Sequence, residues 1–207
     1  MLLSDIADDI EFEAPEAIGA TLDRAVLFAV QTFYRKSEAW RHREDVAMDK
    51  GTNTYALTLP AGSYILAADF VYYEDPASSR RTRLTSTLPE RVNDELTGPA
   101  QEFYTTRTSV VVNPDDESGT LDCGVILCAT KSITAIPDDH GDSWFEFFRA
   151  GALAKLLNTA GKPWTNRKAG AQYYDVFYDG INEARREARN DRSRPKRTVQ
   201  FNTGFRW

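Results

Sequence analysis

Histidine and cysteine are scarce in this chain: His42, His140, Cys123 and Cys128 are all that 207 residues contain. Two histidines leave little room for imidazole-based acid–base or nucleophilic catalysis. Neither a Cys-x-x-Cys pair nor a Gly-x-Ser-x-Gly elbow occurs, so the usual thiol-redox and serine-hydrolase signatures are absent. No run of roughly 18 apolar residues is available to cross a membrane as a helix. Residues 1–14 are acidic and lack the basic-then-apolar order of a secretory signal, so the expected origin is cytoplasmic. The two cysteines lie five apart in a segment that reads as a strand. An odd separation turns them to opposite faces, so they are expected to pack as small hydrophobes and not to pair.

What remains is an ordinary globular composition, 42% hydrophobic and 27% charged. The length suits one substantial domain, or one domain carrying an insertion. The net charge of -6 conceals a polarity. Residues 151–207 hold twelve Lys/Arg against five acids, a net +7, so residues 1–150 carry -13. Such asymmetry points to an oriented interaction with an acidic partner, protein or nucleic acid.

Along the chain, Pro15 to Trp40 predicts a first helix. Leu22, Ala25, Val26, Ala29, Val30 and Phe33 form one apolar stripe, with Glu13 and Glu16 at its positive end. From Gly51 the period changes to two. Tyr55, Leu57 and Leu59 share a face, Pro60-Ala61-Gly62 turns, and Tyr64 to Tyr73 is a strand. Further strands are expected over Arg80–Thr87 and Gln101–Val112, with a short helix or loop over Leu88–Leu96. Asn113 to Gly119 reads as a hairpin tip and Thr120 to Lys131 as its return strand. Helical spacing resumes after Pro137 with Trp144, Phe148, Gly151, Ala152 and Leu156, and again from Thr165 to Asn190. The expected architecture is α+β. One N-terminal and two C-terminal helices (residues 1–49 and 136–190) form a small bundle, with a mostly antiparallel β-domain inserted at 50–135. An extended tail follows at 191–207.

The two C-terminal helices meet at a corner. Gly161 supplies the left-handed residue after a helix end, and Pro163 prevents continuation. Gly151 and Ala152 allow close helix approach, and Trp164 is expected to plug the gap. Trp164→Ala would then cost about 3–5 kcal/mol.

Apparent chemistry elsewhere has structural explanations. Asp138-Asp139-His140-Gly141-Asp142 has the residue types of a hard-metal site, and equally of a helix N-terminus dressed with dipole-complementing acids. Gly161-Lys162 lacks both the earlier glycine and the following Ser/Thr of a phosphate loop. No catalytic, cofactor or metal residue is expected. The segment from Asp191 combines Arg192, Arg194, Lys196 and Arg197 with Phe201, Phe205 and Trp207. Large aromatics are rarely left in water, so this segment is expected to order on a partner.

Four stretches together carry a family resemblance: Gly51-Thr52-Asn53-Thr54-Tyr55-Ala56-Leu57-Thr58-Leu59-Pro60, Gly151-Ala152-Leu153-Ala154-Lys155-Leu156, Gly161-Lys162-Pro163-Trp164-Thr165-Asn166, and Phe177-Tyr178-Asp179-Gly180-Ile181 with Ala184. In this order, after an N-terminal helix and before a basic tail, the chain resembles the head-to-tail adaptor (tail tubular A type) proteins of short-tailed bacteriophages. The resemblance implies a ring, typically of twelve copies, bound beneath the portal protein, extending the DNA channel and offering a platform to a tail tube or nozzle protein. It implies a virion neck or tail location after synthesis in the host cytoplasm, no membrane, and DNA that passes without specific binding. Arg192, Arg194, Lys196, Arg197, Phe201, Phe205 and Trp207 would then contact the portal. The alternative from the residues themselves is a nucleic-acid-binding protein using the basic C-terminal segment. A weaker one is a metal-dependent enzyme centred on Asp138, Asp139, His140 and Asp142.

Overall fold

The computed structural model describes residues 1–91 and 97–193, with backbone alone at Arg91 and residues 191–193. The architecture is α+β, as expected, with two mostly antiparallel sheets beside a helical bundle. The first helix, α1, is Leu3–Glu11, a helix beyond those expected. Its signal is short: Ile6, Ala7 and Ile10 are buried while acids cover the rest. The second helix, α2, runs from Gly19 to Ser37. The expected start at Pro15 is corrected, because residues 12–18 form a turn anchored by buried Ala14 and Ala17, reversing the chain between α1 and α2. The expected end at Trp40 also moves. Glu38 takes a left-handed conformation (φ 57°) and donates its N–H to the Tyr34 carbonyl, closing α2.

Strand β1, Arg41–Met48, follows directly, so the sheet begins ahead of the expected boundary at residue 50. Then come β2 (Thr54–Ala56), β3 (Ser63–Glu74), β4 (Arg81–Arg83) and β5 (Thr85–Ser86). A short 3-10 turn at Pro89–Arg91 precedes β6 (Glu102–Thr105), β7 (Ser109–Asn113) and β8 (Gly119–Ala129). The single strand expected over Gln101–Val112 is thus two, hydrogen-bonded to each other across a tight turn closed by Thr106 and Ser109. Nor is β8 the hairpin return of β7. The sheets are ordered β1-β8-β3-β4 and β2-β7-β6-β5, so the polar segment after Asn113 carries the chain from one sheet to the other. Alternation alone cannot distinguish a hairpin from such a crossing, because both need only a polar turn between strands.

Central β8 is buried on both faces from Leu121 to Ala129, which explains its continuous apolar run. Both cysteines are buried and free, and burial pushes the Cys123 thiol up to about 12. One hydrophobic cluster takes in helices and both sheets, so the helical and β parts share a core. Against β8, Gln31 of α2 donates to the Ala129 carbonyl at 3.3 Å, and Cys128 donates its thiol to the Gln31 carbonyl at 3.7 Å.

Helices α3 (Asp138–Leu157) and α4 (Arg167–Ser193) complete the bundle. The stripe Trp144, Phe148, Gly151, Ala152, Leu156 is buried throughout, as are Phe177, Ile181, Ala184 and Ala188 of α4. Val176, expected on that face, is 45% exposed.

Candidate functional site

The corner between α3 and α4 is built by side chains that satisfy the carbonyls a helix end leaves open. Asn158, not Gly161, caps α3: its amide donates to the Ala154 carbonyl at 2.8 Å, and the Thr159 hydroxyl donates to the Lys155 carbonyl at 2.9 Å. Gly161 lies further along at φ 71°, a left-handed position suited to glycine. Asn166 opens α4 by accepting the Ala169 N–H at 3.1 Å, while the Asn166 N–H donates back to the Leu157 carbonyl. Trp164 is partly buried against the core, its indole Nε1 enclosed without a hydrogen-bond partner among the described residues, and Lys162 sits 5.9 Å above its ring. The expected 3–5 kcal/mol for its truncation therefore falls to about 2 kcal/mol, because part of the ring is already in water.

Gly151 is a point of close helix approach in the bundle. A Cβ there would lie 2.6 Å from the Phe177 ring and 3.0 Å from Ala29 Cβ. The absent side chain is what lets Phe177 of α4 reach between α2 and α3. On the outer side of this junction, Phe28, Thr32, Gly151, Ala154, Tyr174 and Phe177 line an open, mainly apolar groove of about 360 Å³. Phe28 is 43% exposed and Tyr174 48% exposed, and Lys155 Nζ stands 4.8 Å over the Phe28 ring. Tyr174 stacks on Tyr178 at 4.4 Å, and Lys36 donates to the Tyr178 hydroxyl at 2.8 Å. That hydrogen bond holds Tyr178 below the ordinary phenol range. Phe28 is not among the residues expected to carry function. Its signal is position: Ala25, Val26, Ala29 and Val30 form the inward stripe, leaving Phe28 as an aromatic on the polar face.

On the far side of α3, Arg149 holds the turn after α1. It pairs with Asp9 at 2.5 Å and with Glu13, and Tyr173 also donates to Glu13. Glu13 therefore serves this clamp and does not sit at the start of α2. Within the clamped turn Phe12 is 88% exposed and Ile18 70% exposed.

The acidic run at the start of α3 has separate tasks. The cap residue is Pro137 with no side-chain cap bond, and Asp138 and Asp139 occupy the first turn. Asp138 pairs with the Met1 amino group. His140 turns inward to Tyr34, whose hydroxyl lies 3.0 Å from Nδ1, beside Trp40 and Trp144. Burial lowers the His140 pKa, opposed by nearby Asp139, and burial raises that of Tyr34 well beyond the phenol range. Among the described residues, no three His, Cys, Asp or Glu are grouped to hold a metal ion. In the first sheet, buried Asp122 accepts two hydrogen bonds from Arg43, at 2.7 and 2.8 Å, and another from Arg81.

Of the expected portal-contact residues, Arg194, Lys196, Arg197, Phe201, Phe205 and Trp207 lie outside the described residues, as does the side chain of Arg192. Helix α4 leads the backbone to that segment. No protein-family model matches the chain, and no curated protein matches it.

Proposed function

We propose that this chain is a structural virion protein, a head-to-tail adaptor that forms a ring beneath the portal and carries the DNA channel toward the tail. The observation that carries the reading is charge polarity: -13 over residues 1–150 and +7 over residues 151–207. Opposite charge at two ends of one chain orients successive contacts, as stacked or side-by-side copies of a virion part require. The arrangement of parts supports it. A helical bundle ends in a 27-residue α4 whose last residues, 191–193, begin the basic, aromatic segment. In this reading Arg192, Arg194, Lys196 and Arg197 meet acidic portal clefts, with Phe201, Phe205 and Trp207 as anchors, since Arg and aromatics dominate interface energetics.

The test mixes the purified full chain with portal rings of the same virion and images them by negative stain. A ring-shaped cap on the portal is expected, and deletion of residues 191–207 should abolish attachment while the helical circular-dichroism signal persists. Portal and chain that stay apart at high concentration overturn the reading. Duplex-DNA binding that persists at moderate salt would favour the nucleic-acid alternative.

A further inference from the structure

The exposed turn after α1 and the groove at the α2–α3–α4 junction are opposite in kind. The turn offers two large apolar side chains, Phe12 and Ile18, on a backbone anchored by buried Ala14 and Ala17 and clamped by Arg149. Its exposed charges are acidic: Asp8, Glu11 and Glu16. The groove is concave and apolar, and its rim is mainly basic. Arg24 and Lys36 share the outer face of α2 with Phe28, Arg185 of α4 donates to the Lys36 carbonyl, and Lys155 lies over the Phe28 ring. Asp175 and Asp179, beside Tyr174 and Tyr178, are the acids on this rim.

The two features cannot meet within one copy. At about 100° per residue, Gly151, Ala154 and Asn158 lie roughly 140–200° around α3 from Arg149, which holds the turn. Knob and hole therefore occupy opposite sides of the same helix. We infer that the Phe12–Ile18 turn of one copy seats in the Phe28–Tyr174 groove of the next, a head-to-tail contact between copies of this chain. Such a contact is not self-complementary, so it leaves one free knob and one free hole at each step and closes only as a ring or continues as a filament. Pre-anchoring of the turn limits the ordering cost of docking, and the opposite rim charges set its orientation. The inference shares with the adaptor reading the need for a second copy, and makes no use of the portal.

The experiment follows sedimentation of the full chain up to millimolar concentration. The wild type is expected to associate with increasing concentration. Phe12→Asp and Phe28→Asp, both at exposed positions, should each weaken association by about tenfold or more with unchanged melting temperatures. Tyr174→Asp supplies a second groove variant should Phe28→Asp disturb folding. The diagnostic result is the equimolar mixture of Phe12→Asp with a groove variant. One intact knob and one intact hole remain, so assembly should proceed to a dimer and stop there. A wild type that stays monomeric, variants that associate like the wild type, or a mixture without dimers would each overturn the contact. Portal attachment of the same variants is read separately. Attachment without self-association leaves the adaptor reading standing and removes this contact, whereas self-association without attachment does the reverse.

Discussion

Replacing Gly151 by alanine sets two known effects against each other at one position. Helix propensity favours the change: alanine in a helix interior is better than glycine by about 1 kcal/mol. Packing opposes it. The new methyl would stand 2.6 Å from two carbons of the Phe177 ring and 3.0 Å from Ala29 Cβ. Neither neighbour yields easily. Phe177 is 2% exposed and packed beside Phe33 and Tyr178, with ring centroids 6.3 and 5.9 Å away, and Ala29 Cβ is fixed to the backbone of α2. Overpacking of this kind costs about 1–3 kcal/mol, and at contacts well inside van der Waals distance the upper part of that range applies. The net expectation is a loss of about 1–2 kcal/mol, against the sign that propensity alone predicts. Urea denaturation should show a lower midpoint with unchanged slope, and thermal melting a fall of about 2–8 °C for a chain of this size. Phe177→Leu added to Gly151→Ala should recover part of the loss, because the smaller side chain vacates the space the methyl needs. A Gly151→Ala protein as stable as the wild type, or more so, would refute the close approach of α3, α4 and α2 at this point.

Trp164→Ala should cost about 2 kcal/mol, read as a shift in denaturation midpoint, and leave the circular-dichroism spectrum unchanged. Asp122→Asn should cost about 1–2 kcal/mol in the same assay, since it removes the charge and turns one of two buried acceptor oxygens into a donor, while Arg43 and Arg81, 55% and 44% exposed, can turn to water. His140 gives a pH dependence. Its folded pKa lies below the unfolded value near 6.5, so the unfolded chain binds the proton more readily. Its contribution to stability is full above about pH 6.5 and is lost as pH falls through that value. Melts at pH 7, 6 and 5 should show this decline against the carboxylate background, and His140→Phe should flatten its part of the slope. An unchanged slope in that variant would place the titration elsewhere.

How much of this was legible beforehand follows from the kind of information each feature needs. Local signals sufficed for the stripe of α2, the face of α3, that of α4 apart from Val176, the left-handed Gly161 and the separate burial of Cys123 and Cys128, because each depends on local geometry alone. It also sufficed for the α+β class. Chain reversals were harder. The turn at residues 12–18 was read as helix because Pro15 is compatible with a first helical turn, and only the burial of Ala14 and Ala17 against the bundle selects the reversal. The strand at Arg41–Met48 carries no apolar alternation to mark it, since Arg41, Arg43 and Asp45 fall on one face and His42 and Glu44 on the other, and its partner β8 lies far along the chain.

Sequence by itself thus determined α2, α3, α4 and the β-rich middle, the composition of the helix faces and the polarity of charge between the two ends of the chain. Tertiary structure decided which faces met. It assigned β7 and β8 to different sheets, brought Arg149 to Asp9 and Glu13, and left Phe12 outside while opening a groove beside Phe28. The physical reason is that hydrophobic burial and hydrogen-bond satisfaction are settled over the whole molecule. A side chain's partner is fixed by what the rest of the chain leaves in reach, and no local period encodes that.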